Sequence, residues 1–95
     1  MARKDIIKTK ILDLPIDRVF FDQILAGTKT EEFRDRTDYW KTRLEGREYD
    51  EIRFRAGYRK DSPKMYVEFK GAKKPMLRKH YAIQLGKILR TENCE

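Results

Sequence analysis

Two short runs in the second half of the chain alternate between apolar and charged residues on either side of a turn-forming segment. The runs are 49–56 (YDEIRFRA) and 65–69 (MYVEF), and each places its apolar residues on one face only. The segment 57–63 between them contains glycine, serine and proline, which favour turns. A period of two on both sides of a turn predicts a β-hairpin with one buried face, and this argues against a helical bundle.

The first third of the chain predicts a strand followed by a helix. Apolar residues between Ile6 and Leu14 indicate the strand. Pro15 suits the first turn of a helix, Asp17 lies near its positive end, and Gly27 ends it. Apolar residues at three- and four-residue spacing predict one buried helix face. These residues are Ile16, Val19, Phe20, Ile24 and Leu25.

A second strand is predicted over 30–34, with Phe33 and Glu31 facing inward and Glu32 and Arg34 on the opposite face. Thr37 or Asp38 is expected to cap a short helix that carries Tyr39, Trp40 and Leu44 and ends at Gly46. A basic loop over 71–79 should lead to a last strand from His80 to about Leu89. Its buried face should carry Tyr81, Ile83 and Leu85, with a bulge at Gly86.

Five short strands, one main buried helix and a short second helix predict an α+β fold, a small β-barrel. A chain of 95 residues buries roughly two-thirds of its unfolded surface, so we expect one domain over residues 1–95. Residues 1–5 and 91–95 are expected to be frayed.

Charge is distributed unevenly along the sequence. The net charge is +7, and residues 53–90 contain twelve basic and two acidic residues, whereas residues 30–52 contain five basic and eight acidic ones. A basic half beside an acidic patch favours a polyanionic partner. The alternative is a solvated cationic surface that has no partner.

Other classes of protein are disfavoured by what the sequence lacks. It has no run of about 18 apolar residues and no signal-like segment, so we expect a cytoplasmic protein without a membrane partner. Cys94 is the only cysteine, which excludes an intramolecular disulfide, and we expect a solvent-exposed thiol there. No cofactor motif is present, and His80 is the sole histidine, so a zinc site is not expected. An acidic group of Glu32, Asp35 and Asp38 leaves magnesium binding open as a lesser alternative.

The stretch from Gly27 to Arg34 joins the helix to the second strand and reads Gly-x-Lys-x-x-Glu-x-Arg. It places Lys29, Glu32 and Arg34 where they can converge at one mouth. An ammonium can act as a base, a carboxylate can relay a proton, and a guanidinium can grip a phosphate with two hydrogen bonds. Such a set suits attack by a ribose 2′-hydroxyl on its phosphodiester, or phosphate capture alone. A surface ion network of Glu32 and Arg34 is the competing interpretation.

The same stretch resembles the signature of the ASCH domain, a branch of the PUA-like small β-barrels associated with RNA. The resemblance extends to the apolar helix before it, to the strand at 50–54 and to the closing strand at 81–86. It implies a cleft between the helix end and the barrel that accepts RNA or a nucleoside. It also implies that Lys29, Glu32 and Arg34 line this cleft and that Gly27 shapes the turn.

Two activities follow from the resemblance as alternatives. Some relatives cleave single-stranded RNA. Another branch removes the acetyl group from acetylated cytidine with the signature lysine, a threonine three positions later and a glutamate from a helical insertion. This chain has Glu32 in place of that threonine and no helical insertion between Gly57 and Tyr81, which weakens the amidohydrolase interpretation. A non-catalytic interaction or regulatory module is a third alternative.

Aromatic residues interleaved with cations suggest how RNA would bind. Unstacked bases stack on aromatic rings while their phosphates meet arginine or lysine. The predicted nucleic-acid-binding residues are therefore Lys29, Arg34, Trp40, Arg55, Tyr58, Arg59 and Lys60. Trp40 is also a candidate for the core. We expect RNA or a nucleoside as the partner, with Lys29, Glu32 and Arg34 as candidate catalytic residues.

Overall fold

The fold is built from five strands and two helices in a computed structural model that describes residues 9–74 and 79–94. In chain order the elements are β1 (Ile11–Pro15), α1 (Arg18–Leu25), β2 (Glu31–Asp35), α2 (Asp38–Leu44), β3 (Glu51–Arg55), β4 (Lys64–Lys73) and β5 (His80–Glu92). This is a small α+β domain, as the sequence predicts.

The strands form one sheet in the order β1-β3-β4-β5-β2. All neighbouring pairs are antiparallel except β1 and β3, which run parallel. The sheet curves into a half-barrel with β1 and β2 at its two edges, and within the described residues no ladder of hydrogen bonds joins these edges. The gap between β1 and β2, called the seam below, is therefore the open side of the sheet.

The predicted hairpin is confirmed as β3 and β4. Ile52 pairs with Val67 and Phe54 pairs with Met65, and all four side chains are fully buried. Both later strands are longer than expected. β4 continues to Lys73, so the predicted loop over 71–79 is wrong in its first part, because Gly71 takes a positive φ of 105° without ending the strand. Residues 75–78 of that loop lie outside the described residues.

β5 also extends beyond the predicted strand. It reaches Glu92, which pairs with Lys64, where the sequence suggests a frayed end. Its pairing with β4 shifts register between Val67 and Phe69, which confirms an irregularity at the predicted bulge. A Cβ atom at Gly86 would lie 2.5 Å from an oxygen of Glu68, so this position has no room for a side chain.

The boundary between β1 and α1 differs from the prediction. Pro15 is the last residue of β1 rather than part of the helix, and Asp17 is the N-cap. The predicted buried face is largely wrong as well. Phe21 is fully buried beside Ile24, whereas Val19, Phe20 and Leu25 are exposed. The part of the predicted first strand before residue 9 lies outside the described residues.

The facing of β2 is the reverse of the prediction. Glu32 is buried, with only 7% of its surface exposed, while Phe33 is 44% exposed. Glu32 and Arg34 do share a face, as expected, but it is the inner face of the sheet. A glutamate tolerates this position because two cations neutralise it, as described below.

The start of α2 agrees with the prediction. Thr37 caps α2 by accepting a hydrogen bond from the backbone N–H of Trp40, at 3.4 Å.

Cys94 is half-buried against the core and donates to the carbonyl of Lys64, so the prediction of a solvent-exposed thiol is wrong. None of the helices in the described part of the chain is long and apolar enough to span a membrane.

The core lies between the concave face of the sheet and the two helices. Its helical members are Phe21, Ile24 and Leu44. The strands contribute Leu12, Leu14, Ile52, Phe54, Met65, Val67, Tyr81 and Ile83. The other four strands supply apolar side chains to this cluster, and β2 supplies none. The inner face of β2 carries the charged residues Glu32 and Arg34 instead.

Candidate functional site

A buried group of three charges lies on and beside the inner face of β2. The Oε1 atom of Glu32 is 3.4 Å from Nζ of Lys29, and its Oε2 atom is 2.9 Å from Nη2 of Arg34. All three side chains are largely buried. We call Lys29, Glu32 and Arg34 the Glu32 triad. The predicted convergence of these three residues is therefore observed.

The turn after α1 places Lys29 beside the strand. The backbone N–H groups of Thr28 and Lys29 both donate to the carbonyl of Gln23, which folds the chain back against the helix end. This turn requires Gly27, whose φ is 83°, a conformation that residues with a Cβ atom rarely adopt. The ammonium of Lys29 then lies 5.3 Å from the ring centres of both Phe20 and Phe33.

Arg34 bridges the seam. Its Nη2 atom donates to the backbone carbonyl of Pro15 at 3.0 Å, so the guanidinium joins β2 to the end of β1. The same guanidinium lies 5.1 Å from the ring of Trp40. One arginine therefore ties together two sheet edges, the short helix and the carboxylate of Glu32.

A cleft of about 610 Å³ opens at this end of the seam. The end of β1, the start of α1, β2, Trp40 and the segment after β3 form its walls. The lining residues are Pro15, Ile16, Asp17, Arg18, Phe20, Glu32, Phe33, Arg34, Asp35, Trp40, Ala56, Gly57 and Tyr58. This volume is large enough for a nucleotide-sized ligand.

The charged residues of the cleft balance one another, in contrast to the basic chain as a whole. Asp17, Glu32 and Asp35 line it together with Arg18 and Arg34. Lys29 completes the balance through its contact with Glu32, although it borders a separate cavity of about 190 Å³ rather than the cleft wall itself. A ligand with both hydrogen-bond donors and acceptors suits such a lining better than a bare phosphate.

Aromatic rings surround the mouth of the cleft. Tyr58 is 79% exposed and Phe33 and Phe20 are partly exposed, while Trp40 is half-buried and packs against both the core and Arg34. Exposed rings of this kind are available for stacking with a ligand. Trp40 therefore belongs to both the core and the cleft, and Tyr58 belongs to the cleft alone.

The structure does not bring every predicted binding residue to the cleft. Arg55 is held by Asp13, at 2.8 Å, although its guanidinium lies 5.7 Å from the Tyr58 ring. Arg59 is at the hairpin tip, with a side chain 87% exposed, and its contact with Asp61 is 3.9 Å long. Lys60 is exposed in the same segment. These three cations lie beyond the Tyr58 side of the cleft.

Several lining residues were not predicted from the sequence, among them Phe20 and Phe33, which it assigned to the core, and Arg18. The sequence carries no local signal for them, because the contacts of Lys29 with both rings form only when α1 packs beside β2. The acidic group proposed for magnesium is not assembled either. Glu32 is neutralised by two cations, and Asp35 contacts His80 at 3.4 Å. Among the described residues, no group of three or more metal-binding side chains is arranged around a common point.

Comparison with protein-family models found no matching family, and comparisons with curated proteins and with solved structures found no significant match.

Proposed function

We propose that the protein is an ASCH-like domain of PUA-like type that binds single-stranded RNA, with one unstacked nucleotide in the seam cleft. The observation that carries this proposal is the Glu32 triad, two of whose members, Glu32 and Arg34, line a cleft that is also lined by Trp40 and Tyr58. The part of the RNA outside the cleft would then run over a protein surface rich in arginine and lysine.

The base, rather than the phosphate, occupies the cleft in this proposal. A nucleobase presents donors and acceptors at its edge and a flat face for stacking, and the cleft offers carboxylates, guanidinium groups and aromatic rings. The phosphates would lie outside it. Attraction between those phosphates and the basic surface gives affinity that falls with salt.

Trp40 provides a direct measure of binding because it is the only tryptophan and it lines the cleft. A stacked base should quench its fluorescence. If about four phosphates are neutralised, the log–log slope of affinity against salt should be near −2.8. A flat salt response together with unchanged Trp40 emission would contradict the proposal.

Cleavage of the bound RNA is a second candidate function, favoured by one observation. Nζ of Lys29 lies 3.4 Å from a carboxylate oxygen of Glu32 beside the cleft. In a cleavage reaction one group removes the proton of the ribose 2′-hydroxyl, whose oxygen attacks the adjacent phosphorus. The other group protonates the departing 5′-oxygen, and a 2′,3′-cyclic phosphate remains. This second candidate needs a different pose, with the scissile phosphate in the cleft, where Arg34 would stabilise the charge on the phosphorus oxygens.

Incubation with a panel of short RNAs and modified nucleosides, followed by mass analysis, separates the candidate activities. RNA cleavage gives cyclic phosphate ends, deacetylation of acetylated cytidine gives cytidine and acetate, and plain binding leaves every substrate unchanged. The last result, combined with Trp40 quenching, would identify a non-catalytic RNA-binding module.

Two variants test whether the Glu32 triad carries any turnover. Lys29→Ala and Glu32→Gln should each abolish product formation, with folding checked by circular dichroism. Asp13→Asn is the matched control, because Asp13 also joins two cations but lies on the other face of the sheet. Turnover that survives both triad variants would exclude this site.

A further inference from the structure

A second group of charges lies beside the cleft, where α2, the start of β5 and the end of β4 meet. Its centre is Glu45, whose carboxylate accepts a hydrogen bond of 2.6 Å from the hydroxyl of Tyr81 and lies 3.3 Å from Nζ of Lys74. We call Glu45, Tyr81 and the cations around them the Glu45 cluster. Those cations are Arg36, Lys41 and Lys74.

Internal contacts hold the Glu45 cluster in place. The hydrogen bond from Tyr81 lowers the pKa of Glu45, and Lys74 and Lys41 lower it further. Arg36 acts on the Tyr81 hydroxyl from the other side, and its backbone N–H donates to the carbonyl of Lys79 at 2.9 Å. The ionised carboxylate therefore fixes a tyrosine and a lysine.

The Glu45 cluster begins at the rim of the cleft. Arg36 directly follows Asp35, and Lys41 directly follows Trp40, and both of these neighbours line the cleft. Lys74 lies farther along, beyond Glu45. An RNA chain that leaves the cleft past Trp40 would therefore pass the end of α2, where Lys74 contacts Glu45. Two carboxylates border this path, Asp38 in the first turn of α2 and Asp35, which contacts His80.

The hairpin tip on the opposite side of the cleft offers cations of a different kind. Arg59 is almost fully exposed with a loose 3.9 Å contact, and Arg55 is already held by Asp13. Exposed, unfixed side chains such as that of Arg59 lose conformational entropy when they bind a ligand. Lys74 is positioned by Glu45 and still 46% exposed, whereas Arg55 is held by Asp13 and only 24% exposed. Spaced, partly fixed cations suit successive phosphates of one strand.

From this arrangement we propose that the Glu45 cluster binds the phosphodiester backbone of single-stranded RNA on one side of the nucleotide in the cleft. This inference rests on the proposed function, because it assigns the path of the same ligand. It implies that longer RNAs bind more tightly than mononucleotides and that this gain depends on the Glu45 cluster. The cleft alone would set the affinity for a mononucleotide.

The test compares two double variants that remove the same charge. Lys41→Gln with Lys74→Gln changes the Glu45 cluster, and Lys70→Gln with Lys87→Gln removes two lysines beside Gly86. Binding of a nucleoside monophosphate and of a ten-nucleotide single-stranded RNA is measured by Trp40 fluorescence and by anisotropy of labelled RNA. Circular dichroism and urea denaturation confirm that each variant is folded.

We expect the first double variant to bind the ten-nucleotide RNA about tenfold more weakly at low salt, with a log–log salt slope flatter by about 1.4. Its affinity for the monophosphate should be unchanged, and the control pair should retain most of its RNA affinity. Equal losses in both double variants would overturn the inference while leaving RNA binding in the cleft intact. An RNA that binds no better than the monophosphate would also overturn it, and an unmodified protein that binds neither ligand would overturn both proposals.

Discussion

Glu32 and Asp13 each lie between two cations, yet they occupy opposite faces of the same sheet. Asp13 contacts Arg53 and Arg55 at 2.8 Å each, and Glu32 contacts Arg34 at 2.9 Å and Lys29 at 3.4 Å. The groups have the same charges. The Asp13 side chain is 35% exposed, whereas that of Glu32 is 9% exposed at the base of a cleft.

Register explains the outer group. Asp13 in β1 is directly opposite Arg53 in β3, so this contact is a cross-strand pair that supports the one parallel pairing of the sheet. Glu32 has no such role, since its strand partner is Ile83. Charged side chains are common on the solvated face of a sheet and rare on its inner face. The Asp13 group therefore supports the pairing of two strands, whereas the Glu32 triad lies at the cleft and joins the two open edges of the sheet through Arg34.

The largest expected effect is on stability when each carboxylate is removed. Glu32→Ala leaves Lys29 and Arg34 buried without their partner, and we expect a loss of about 3–5 kcal/mol in the free energy of unfolding. Asp13→Ala should cost less, about 1 kcal/mol, because Asp13, Arg53 and Arg55 are partly exposed and water screens their charges. Urea denaturation of both variants measures the two losses. Losses of equal size would remove the distinction between the groups.

The next largest effect is on the affinity for RNA when an exposed tyrosine is replaced in each of the two regions. Tyr58 borders the cleft, whereas Tyr39 lines a different cavity together with Asp13. Loss of one stacking ring costs about 1–3 kcal/mol, so Tyr58→Ala should weaken binding of single-stranded RNA by about 5- to 150-fold. Fluorescence anisotropy of labelled RNA gives the affinities.

Tyr39→Ala is the control for that measurement, because Tyr39 is also an exposed tyrosine. We expect little change in its RNA affinity. Neither substitution should alter the urea midpoint by much, since both side chains are largely exposed. Tyr39 packs edge-on against Trp40 with ring centres 4.9 Å apart, so a larger loss in Tyr39→Ala than in Tyr58→Ala would mean that Tyr58 is not the stacking ring.

The smallest effect is the pH dependence that arises from Glu45, a third carboxylate with two kinds of partner. Its pKa is lowered in the folded protein, chiefly by the hydrogen bond from Tyr81 and also by Lys74. In mild acid the unfolded chain therefore binds more protons at this position than the folded chain does. The stabilisation is present at neutral pH and is lost as the pH falls through the lowered pKa.

Comparison with Glu45→Gln isolates this contribution. The unmodified protein should be more stable than the variant at pH 7, and the difference should shrink as urea denaturation is repeated toward pH 3. A difference that stayed constant over this range would mean that ionisation of Glu45 does not contribute to stability.

The parts of the fold that follow local patterns were predictable from the sequence. The alternation of apolar and charged residues around Phe54 and Met65 predicts the hairpin, because a period of two places the apolar side chains on one face of each strand. Thr37 identified the start of α2, since its hydroxyl satisfies a free backbone N–H. The Gly27 turn and the signature after it predicted that three charges would meet.

The parts that depend on long-range packing were not predictable. Adjacent phenylalanines at positions 20 and 21 fit a helical period in either phase, and only the docked helix shows that Phe21 is buried. The inward position of Glu32 contradicts its polarity, and it becomes acceptable only when Lys29 and Arg34 are placed beside it. The parallel pairing of β1 and β3 joins segments 40 residues apart and leaves no local signal.

The central claim, that the seam cleft is the binding site, is tested most directly by nuclear magnetic resonance. A ¹⁵N-labelled sample is titrated with a short single-stranded RNA, and the backbone and indole signals of both regions are followed. We predict saturable shifts at Glu32, Arg34, Tyr58 and the Trp40 indole, with little change at Asp13 and Arg53. Shifts confined to Asp13 and Arg53, with the Trp40 indole signal unmoved, would contradict the account.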